Sequence, residues 1–180
     1  MTLKTFLIEA ASVVAALLCI SIFTLVALVT VDRLGRKPLL IAGALIMAAA
    51  MLMLGYLFDS GARNAWPLVA AVIYIAGFSL SWGPVTWVML AEIFPNSIKS
   101  KAMAIAVAAQ WIANLFISWS FKVMDGSSFL NGLFHHAFAY WVYSAMSILA
   151  ALFVMRFVPE TKRRSLEDIQ TLWVVKAGRG

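Results

Sequence analysis

The chain has 180 residues, of which 63% are hydrophobic and 12% are charged, and its mean hydropathy is +0.93. A soluble domain is nearer half apolar and a quarter charged, so this composition excludes an ordinary soluble domain and predicts a protein with several membrane spans. The net charge of +6 does not indicate nucleic-acid binding, because the basic residues stand in short clusters between apolar runs and not on one amphipathic face.

Five apolar stretches are long enough to cross a bilayer, which takes about 20 residues. They cover roughly residues 6–31, 38–58, 66–90, 102–124 and 137–158. We expect helices, because a segment in lipid must satisfy its own backbone hydrogen bonds and none of the stretches alternates as a β-strand would. The fold class predicted is therefore all-α integral membrane with five transmembrane helices. Residues 1–158 form the membrane part and residues 159–180 a polar cytoplasmic tail.

The basic residues predict the orientation of the chain, since lysine and arginine favour the cytoplasmic side. Of the 14 basic residues, three (Lys4, Arg63 and Lys122) fall at one set of span ends and eleven at the other. The 33–37 loop, the 91–101 loop and the tail are therefore predicted to face the cytoplasm. Five spans then place the amino terminus outside, in a multi-pass protein of the cell inner (plasma) membrane.

Polar groups interrupt the third and fourth spans. Pro84 in "GPVTW" removes a backbone donor and is predicted to kink or break the third span. Such a break lies either beside a binding site or at a simple packing kink. Gln110 and Trp111 offer an amide and an indole that suit a sugar, and Asn114 shares a helix face with Gln110. The competing interpretation is that these amides only join neighbouring helices.

Charged residues near the predicted cytoplasmic ends form a second candidate cluster. Glu92 in "AEIFP" is expected to pair with Arg36 in "DRLGRKP", with Glu160 as a third member. The basic loop is either a gate or only an anchor of topology. His135 and His136 have no carboxylate or cysteine nearby in the sequence, so an ordinary outer loop is predicted and no metal site.

The chain shows no pattern typical of an enzyme. No carboxylate lies at mid-membrane depth, no Ser/His/Asp set falls within the spans, and there is no glycine-rich phosphate loop. We therefore predict no catalytic residues and no cofactor.

Three segments in order, "DRLGRKPLL", "GPVTWVMLAEIFP" and "FVPETKRRSLEDI", resemble the sugar porter family of the major facilitator superfamily. Residues 81–121 look closest to the bacterial D-xylose–proton symporters of that family. The resemblance implies helices 8–12 of a twelve-helix fold, without the amino-terminal half and helix seven. It also implies site residues. Those expected to contact sugar are Gly83, Trp87, Gln110 and Trp111, and those expected to form a gating salt bridge are Arg36 and Glu92.

The function expected from this resemblance is sugar transport by a carboxy-terminal fragment of a D-xylose–proton symporter that is incomplete alone. Its partners would be a monosaccharide and the lipid bilayer. Proton coupling is expected only when a missing amino-terminal half is supplied, because the family carries its coupling acid on helix one. Two alternatives stay open: a non-transporting five-helix scaffold or accessory subunit, and a non-functional remnant.

Overall fold

The computed structural model describes residues 21, 23–26, 31, 34–61, 65–94 and 98–158. Within these ranges six helices are described from end to end: α1 (Arg36–Asp59), α2 (Trp66–Leu80), α3 (Trp82–Ile93), α4 (Lys99–Asp125), α5 (Ser128–Phe134) and α6 (Phe138–Phe157). Four helical segments there are long and apolar enough to span a membrane, namely α1, α2 continued by α3, α4, and α6. They confirm the all-α membrane fold and the last four predicted spans. Most of the first predicted span and the whole predicted tail lie outside the described residues.

Helix α1 is the centre of the described bundle and packs against α2 and α6. Gly35 precedes α1 with a φ of 95°, a value in the left-handed region that favours glycine. The helix begins at the next residue, Arg36. The buried face of α1 carries small residues, so its neighbours approach closely. Across that contact the buried Ser144 hydroxyl donates a hydrogen bond of 2.8 Å to the Ala48 carbonyl.

The third predicted span is broken close to Pro84. Helix α2 ends at Leu80 and α3 begins at Trp82, so the break is at Ser81 and not at Pro84. A proline ring clashes with the carbonyl four residues earlier, which here belongs to Leu80. Pro84 itself stands in the first turn of α3, where backbone N–H groups have no acceptor within the helix. The proline therefore ends the preceding helix and is tolerated in the following one.

The connector before α6 is not the plain loop that the sequence predicted. It contains the seven-residue helix α5, which begins after Ser127, whose Oγ accepts a hydrogen bond from the Leu130 backbone N–H at 3.4 Å. Helix α4 before it has no buried residue along its whole length. In the described part of the chain, α4 therefore lies against one side of the core made by α1, α2, α3 and α6.

Candidate functional site

A groove of about 540 Å³ lies between the α2–α3 segment and α4. Its lining residues are Phe78, Trp82, Gly83, Thr86, Trp87 and Leu90 on one side and Ala106, Ala109, Gln110 and Ala113 on the other. Three of the four predicted sugar contacts, Gly83, Trp87 and Gln110, are thus brought to one groove. Trp111 is not among its lining residues, and 70% of its surface is exposed.

Helical spacing explains this selection. Thr86, Trp87 and Leu90 lie three, four and seven residues after Gly83 in α3. The lining residues of α4 have the same spacing, counted from Ala106. Residues at these spacings share one helix face. Trp111 follows Gln110 by a single position, so its side chain points about 100° away around the helix. Asn114, which the sequence placed on the Gln110 face, also lies outside the lining residues.

The groove combines two indoles, one amide and one hydroxyl with small neighbours. Trp87 is 37% exposed, so part of its ring is open to a ligand. The alanines of α4 leave room, and at Gly83 a β-carbon would already touch Phe78 at 3.4 Å. A mostly apolar concave site with few polar groups is typical of small-molecule binding. Such a surface suits a sugar, whose C–H face stacks on indole and whose hydroxyls bond to amides.

Of the groove side chains that carry a polar group, Thr86 and Trp82 were not among the predicted contacts. Thr86 adds a hydroxyl one turn after Trp82, and the i+3 spacing from Gly83 was the signal that could have identified it. Trp82 Nε1 donates a hydrogen bond of 2.9 Å to the Leu40 carbonyl. This bond ties the start of α3 to α1 and fixes one side of the groove.

Trp82 also lines a second cavity of about 540 Å³ among α1, α2, α4 and α6. Its lining is mainly apolar, with Met47, Met51, Phe121 and Met146 among the contributing residues. Since the two cavities share this indole, a change in the position of Trp82 would alter both.

A pair of charges joins two helix ends at the predicted cytoplasmic side. Arg36 Nη2 lies 2.8 Å from Glu92 Oε1, with side-chain exposures of 14% and 29%. The helix dipole disfavours a cation at the start of a helix and an anion near its end. Arg36 stands at the start of α1 and Glu92 near the end of α3, so each charge alone is at an unfavourable position. The two charges therefore favour each other's presence there. Their predicted role as a gate stays a prediction, and Glu160 lies outside the described residues.

A third helix joins the same end. Lys37 Nζ donates a hydrogen bond of 2.8 Å to the backbone carbonyl of Met155, close to the end of α6. A cation near a helix carboxyl end is favourable, because the last carbonyls lack helical partners. Consecutive cations at the start of α1 thus hold the ends of α3 and α6.

The two histidines have partners that the sequence did not reveal. His135 Nδ1 lies 3.2 Å from Asp59 Oδ1, and His136 Nδ1 lies 2.8 Å from Asp125 Oδ1. No carboxylate stands beside the histidines in the sequence, but the fold brings in Asp59 from 76 positions away. Among the described residues, no three potential ligands gather as a metal site.

Comparison with known proteins places these features in a family context. The family model of sugar (and other) transporters matches residues 6–173. The D-xylose-proton symporter of Escherichia coli K12 is 54% identical over 151 residues, which are 84% of this chain and 31% of that protein. The glucose facilitated diffusion protein of Zymomonas mobilis is 55% identical over 152 residues, with coverages of 84% and 32%.

A solved structure has the same arrangement of helices. It is that of a proton:xylose symporter of the major facilitator superfamily bound to 6-bromo-6-deoxy-D-glucose, with a TM-score of 0.83 and 50% identity. The match covers 92% of this chain and 35% of that one. The chain thus spans about a third of the length of the relatives it matches. The resemblance predicted from the sequence motifs is confirmed.

Proposed function

The chain belongs to the sugar (and other) transporter family, and we propose that it forms one side of a sugar pathway through the membrane. The proposed substrate is a monosaccharide, D-xylose or a related sugar, because similar proteins are named for xylose and glucose transport. The proposed activity is transport and not catalysis. Because the chain spans about a third of these relatives, the pathway is completed by helices of a longer protein or of a second polypeptide.

The observation that carries this proposal is the meeting of Gly83, Trp87 and Gln110 in one groove. These residues come from two helices and two separate sequence motifs, so a role in helix packing alone does not require them to share a concave surface. The sugar is held by stacking on Trp87 and by hydrogen bonds to the Gln110 amide. Gly83 keeps the α3 backbone accessible to the ligand.

Transport proceeds by alternating access, in which this half rocks against its partner around the bound sugar. The Arg36–Glu92 ion pair acts as a latch at the cytoplasmic end and is broken when that end opens. Its position supports this role, because the pair joins the start of α1 to the end of α3, which also carries Gly83 and Trp87. Opening of the latch therefore moves a helix that contacts the sugar.

The orientation proposed has the amino terminus outside and the carboxy terminus in the cytoplasm, within the cell inner (plasma) membrane. Six basic residues belong to the described part of the chain. Five of them (Arg36, Lys37, Lys99, Lys101 and Arg156) lie at the Arg36–Glu92 end and only Lys122 at the other. This imbalance supports a cytoplasmic location of the Arg36–Glu92 end.

Coupling to protons depends on a group from outside this segment. Neither Asp nor Glu is among the residues that line the groove. A proton carried through the membrane with the sugar needs a titratable side chain within the pathway. Symport is therefore proposed only for an assembly with an amino-terminal half, and any sugar movement through this chain alone would be facilitated diffusion.

The test is sugar uptake in cells that lack their own xylose and glucose transport. The chain is expressed alone and together with the amino-terminal remainder of the E. coli D-xylose-proton symporter, and its presence in the membrane is confirmed by blot. We expect xylose uptake only in the co-expressing cells. Gln110→Ala should abolish that uptake, whereas the matched control Asn114→Ala, on the same helix but outside the groove, should retain it.

Other outcomes would change the conclusion. Uptake that is insensitive to Gln110→Ala would contradict the groove as the sugar site. Absence of uptake from co-expressed, membrane-inserted proteins would favour a scaffold or a remnant. Gln110-dependent uptake by the chain alone would keep the site but remove the need for a partner.

A further inference from the structure

Two consecutive histidines each contact a carboxylate at the end of a different membrane helix. His135 Nδ1 lies 3.2 Å from Asp59 Oδ1 at the last residue of α1, and His136 Nδ1 lies 2.8 Å from Asp125 Oδ1 at the last residue of α4. All four side chains are between 41% and 66% exposed. The set of these two pairs is called the histidine clasp below.

The backbone at the clasp is unusual for residues that carry a β-carbon. His135 has a φ of 45° and His136 a φ of 69°, both in the left-handed region. His135 is the residue that ends α5, a position where glycine or asparagine is normally preferred. The side chains of the two histidines compensate for this cost by reaching two separate carboxylates, which glycine could not do.

The clasp joins the ends of two helices that also contact α6. Phe58 of α1 and Phe121 of α4 both pack against the Tyr140 ring, with centroid distances of 5.0 Å and 5.7 Å. Asn131 of α5 adds a hydrogen bond of 2.6 Å from its Nδ2 to the Asp125 carbonyl. Through the histidines, one short connector thus contacts the end of α4 and the end of α1.

Protonation of the histidines strengthens both contacts. A neutral imidazole gives its carboxylate at most one ordinary hydrogen bond, whereas an imidazolium adds the attraction of opposite charges. Asp59 and Asp125 also stand at helix carboxyl ends, where the dipole disfavours an anion and favours a nearby cation. Histidine is the side chain that changes charge between about pH 5 and pH 8.

Other charged or titratable groups near the clasp are few among the described residues. Lys122 lies one turn before Asp125 in α4 and is exposed. Tyr140 in α6 is close enough to Asp125 to interact with its charge. Histidine is the side-chain type whose ordinary titration range falls in this pH interval, whereas the ordinary ranges of lysine and tyrosine lie above it.

We propose that the histidine clasp is a pH-sensitive device on the outer surface. At acidic pH it holds the α5 connector against the ends of α1 and α4, and it releases the connector as the imidazoles lose their protons. This role is separate from the sugar groove, because the clasp lies at the opposite end of α4 from Lys99 and shares no residue with the groove. The expected change in the clasped population is about two- to fivefold per pair, as for exposed ion pairs.

The test is the distance between spin labels placed on either side of the clasp. The labels are attached to Tyr56→Cys in α1 and Gly132→Cys in α5, after Cys19, the single cysteine of the chain, is replaced by serine. Tyr56 is 69% exposed, and a side chain at Gly132 would meet nothing within 4 Å. The full chain is reconstituted in lipid nanodiscs, and distances are measured by pulsed electron resonance at pH 5.5 and pH 8.

We expect one narrow distance distribution at pH 5.5 and a broader one with a longer component at pH 8. His135→Asn and His136→Asn should give the broad distribution at both pH values, since asparagine tolerates the left-handed backbone but carries no charge. Asp59→Asn and Asp125→Asn should do the same from the partner side, with both histidines retained. The control Lys122→Gln should behave as the parent chain does.

Either of two results would overturn the proposal. One is a parent distribution that is the same at both pH values, which would make the histidine contacts purely structural. The other is a pH response that persists in the asparagine variants, which would assign the response to different groups.

Discussion

Arg36 Nη2 lies 2.8 Å from Glu92 Oε1, so the first residue of α1 is joined to the last turn of α3 by an ion pair that spans 56 positions of the sequence. Both side chains are largely covered, at 14% and 29% exposure. An exposed ion pair contributes at most about 1 kcal/mol, whereas removal of one partner from a buried pair costs about 3–5 kcal/mol. This pair falls between those limits.

Neutralisation of either partner is therefore expected to destabilise the fold. Arg36→Gln and Glu92→Gln should each lower the free energy of unfolding by about 1–3 kcal/mol, because each leaves a partly buried charge behind. The double variant should lose less than the sum of the two. The measurement is a double-mutant cycle by denaturant titration in mixed micelles, with the exposed Lys101→Gln as control. Strictly additive losses would show that the two side chains do not interact.

The close contact of α1 with the break in the third span gives a second prediction. A β-carbon at Gly43 would overlap Ser81 Oγ and Cβ, and Ser81 is itself held by a 2.6 Å hydrogen bond to the Gly77 carbonyl. Gly43→Ala should therefore lower the free energy of unfolding by about 1–3 kcal/mol through overpacking. Adding Ser81→Gly to Gly43→Ala should recover part of the loss.

The matched control for that variant is Gly132→Ala in α5. Nothing lies within 4 Å of a β-carbon at Gly132, and alanine is a better helix former by about 1 kcal/mol. Gly132→Ala should leave stability unchanged or raise it slightly. If Gly43→Ala were equally harmless, α1 and Ser81 would have to be further apart than described.

Two serines in α6 allow the value of one hydrogen bond between helices to be measured. Ser144 Oγ donates to the Ala48 carbonyl of α1 at 2.8 Å, whereas Ser147 Oγ donates to the Tyr143 carbonyl of its own helix at 2.9 Å. Ser144→Ala should cost about 0.6 kcal/mol, as is typical of such bonds in membranes, and Ser147→Ala close to nothing. Equal losses in the same unfolding titration would contradict a specific contact between α1 and α6.

The sequence was sufficient where the structure depends on local composition. Four apolar runs became the described spans because length and hydropathy alone determine which segments enter a bilayer. Helix α5 was missed, since seven residues are too few for a clear period. The break falls at Ser81, three residues before Pro84, because a proline ring disrupts the helical turn that precedes it.

Contacts between distant segments were harder to predict. The pairing of Arg36 with Glu92 followed from charge at membrane depth, where an isolated charge needs a partner. The pairing of His135 with Asp59 had no such signal, because both residues stand in polar connectors where many partners are available. The sugar contact at Trp111 was predicted from the family resemblance and stays a prediction. Trp111 lies outside the lining of the groove because adjacent residues of a helix point to different faces.

A comparison of Trp87 with Trp111 gives the sharpest test of where the sugar binds. Trp87 lines the groove beside Gln110, and Trp111 does not, although both residues stand in motifs that resemble sugar-binding segments. In the co-expressed assembly, Trp87→Leu should weaken sugar binding about tenfold, because leucine keeps the apolar volume but loses the flat stacking surface. Trp111→Leu should change binding by less than about twofold. The measurement is the concentration dependence of xylose uptake, with the amount of each variant in the membrane determined by blot. The reverse order, with the larger loss for Trp111→Leu, would move the sugar from the groove to the exposed face of α4, and the helices that complete the pathway would then have to cover that face.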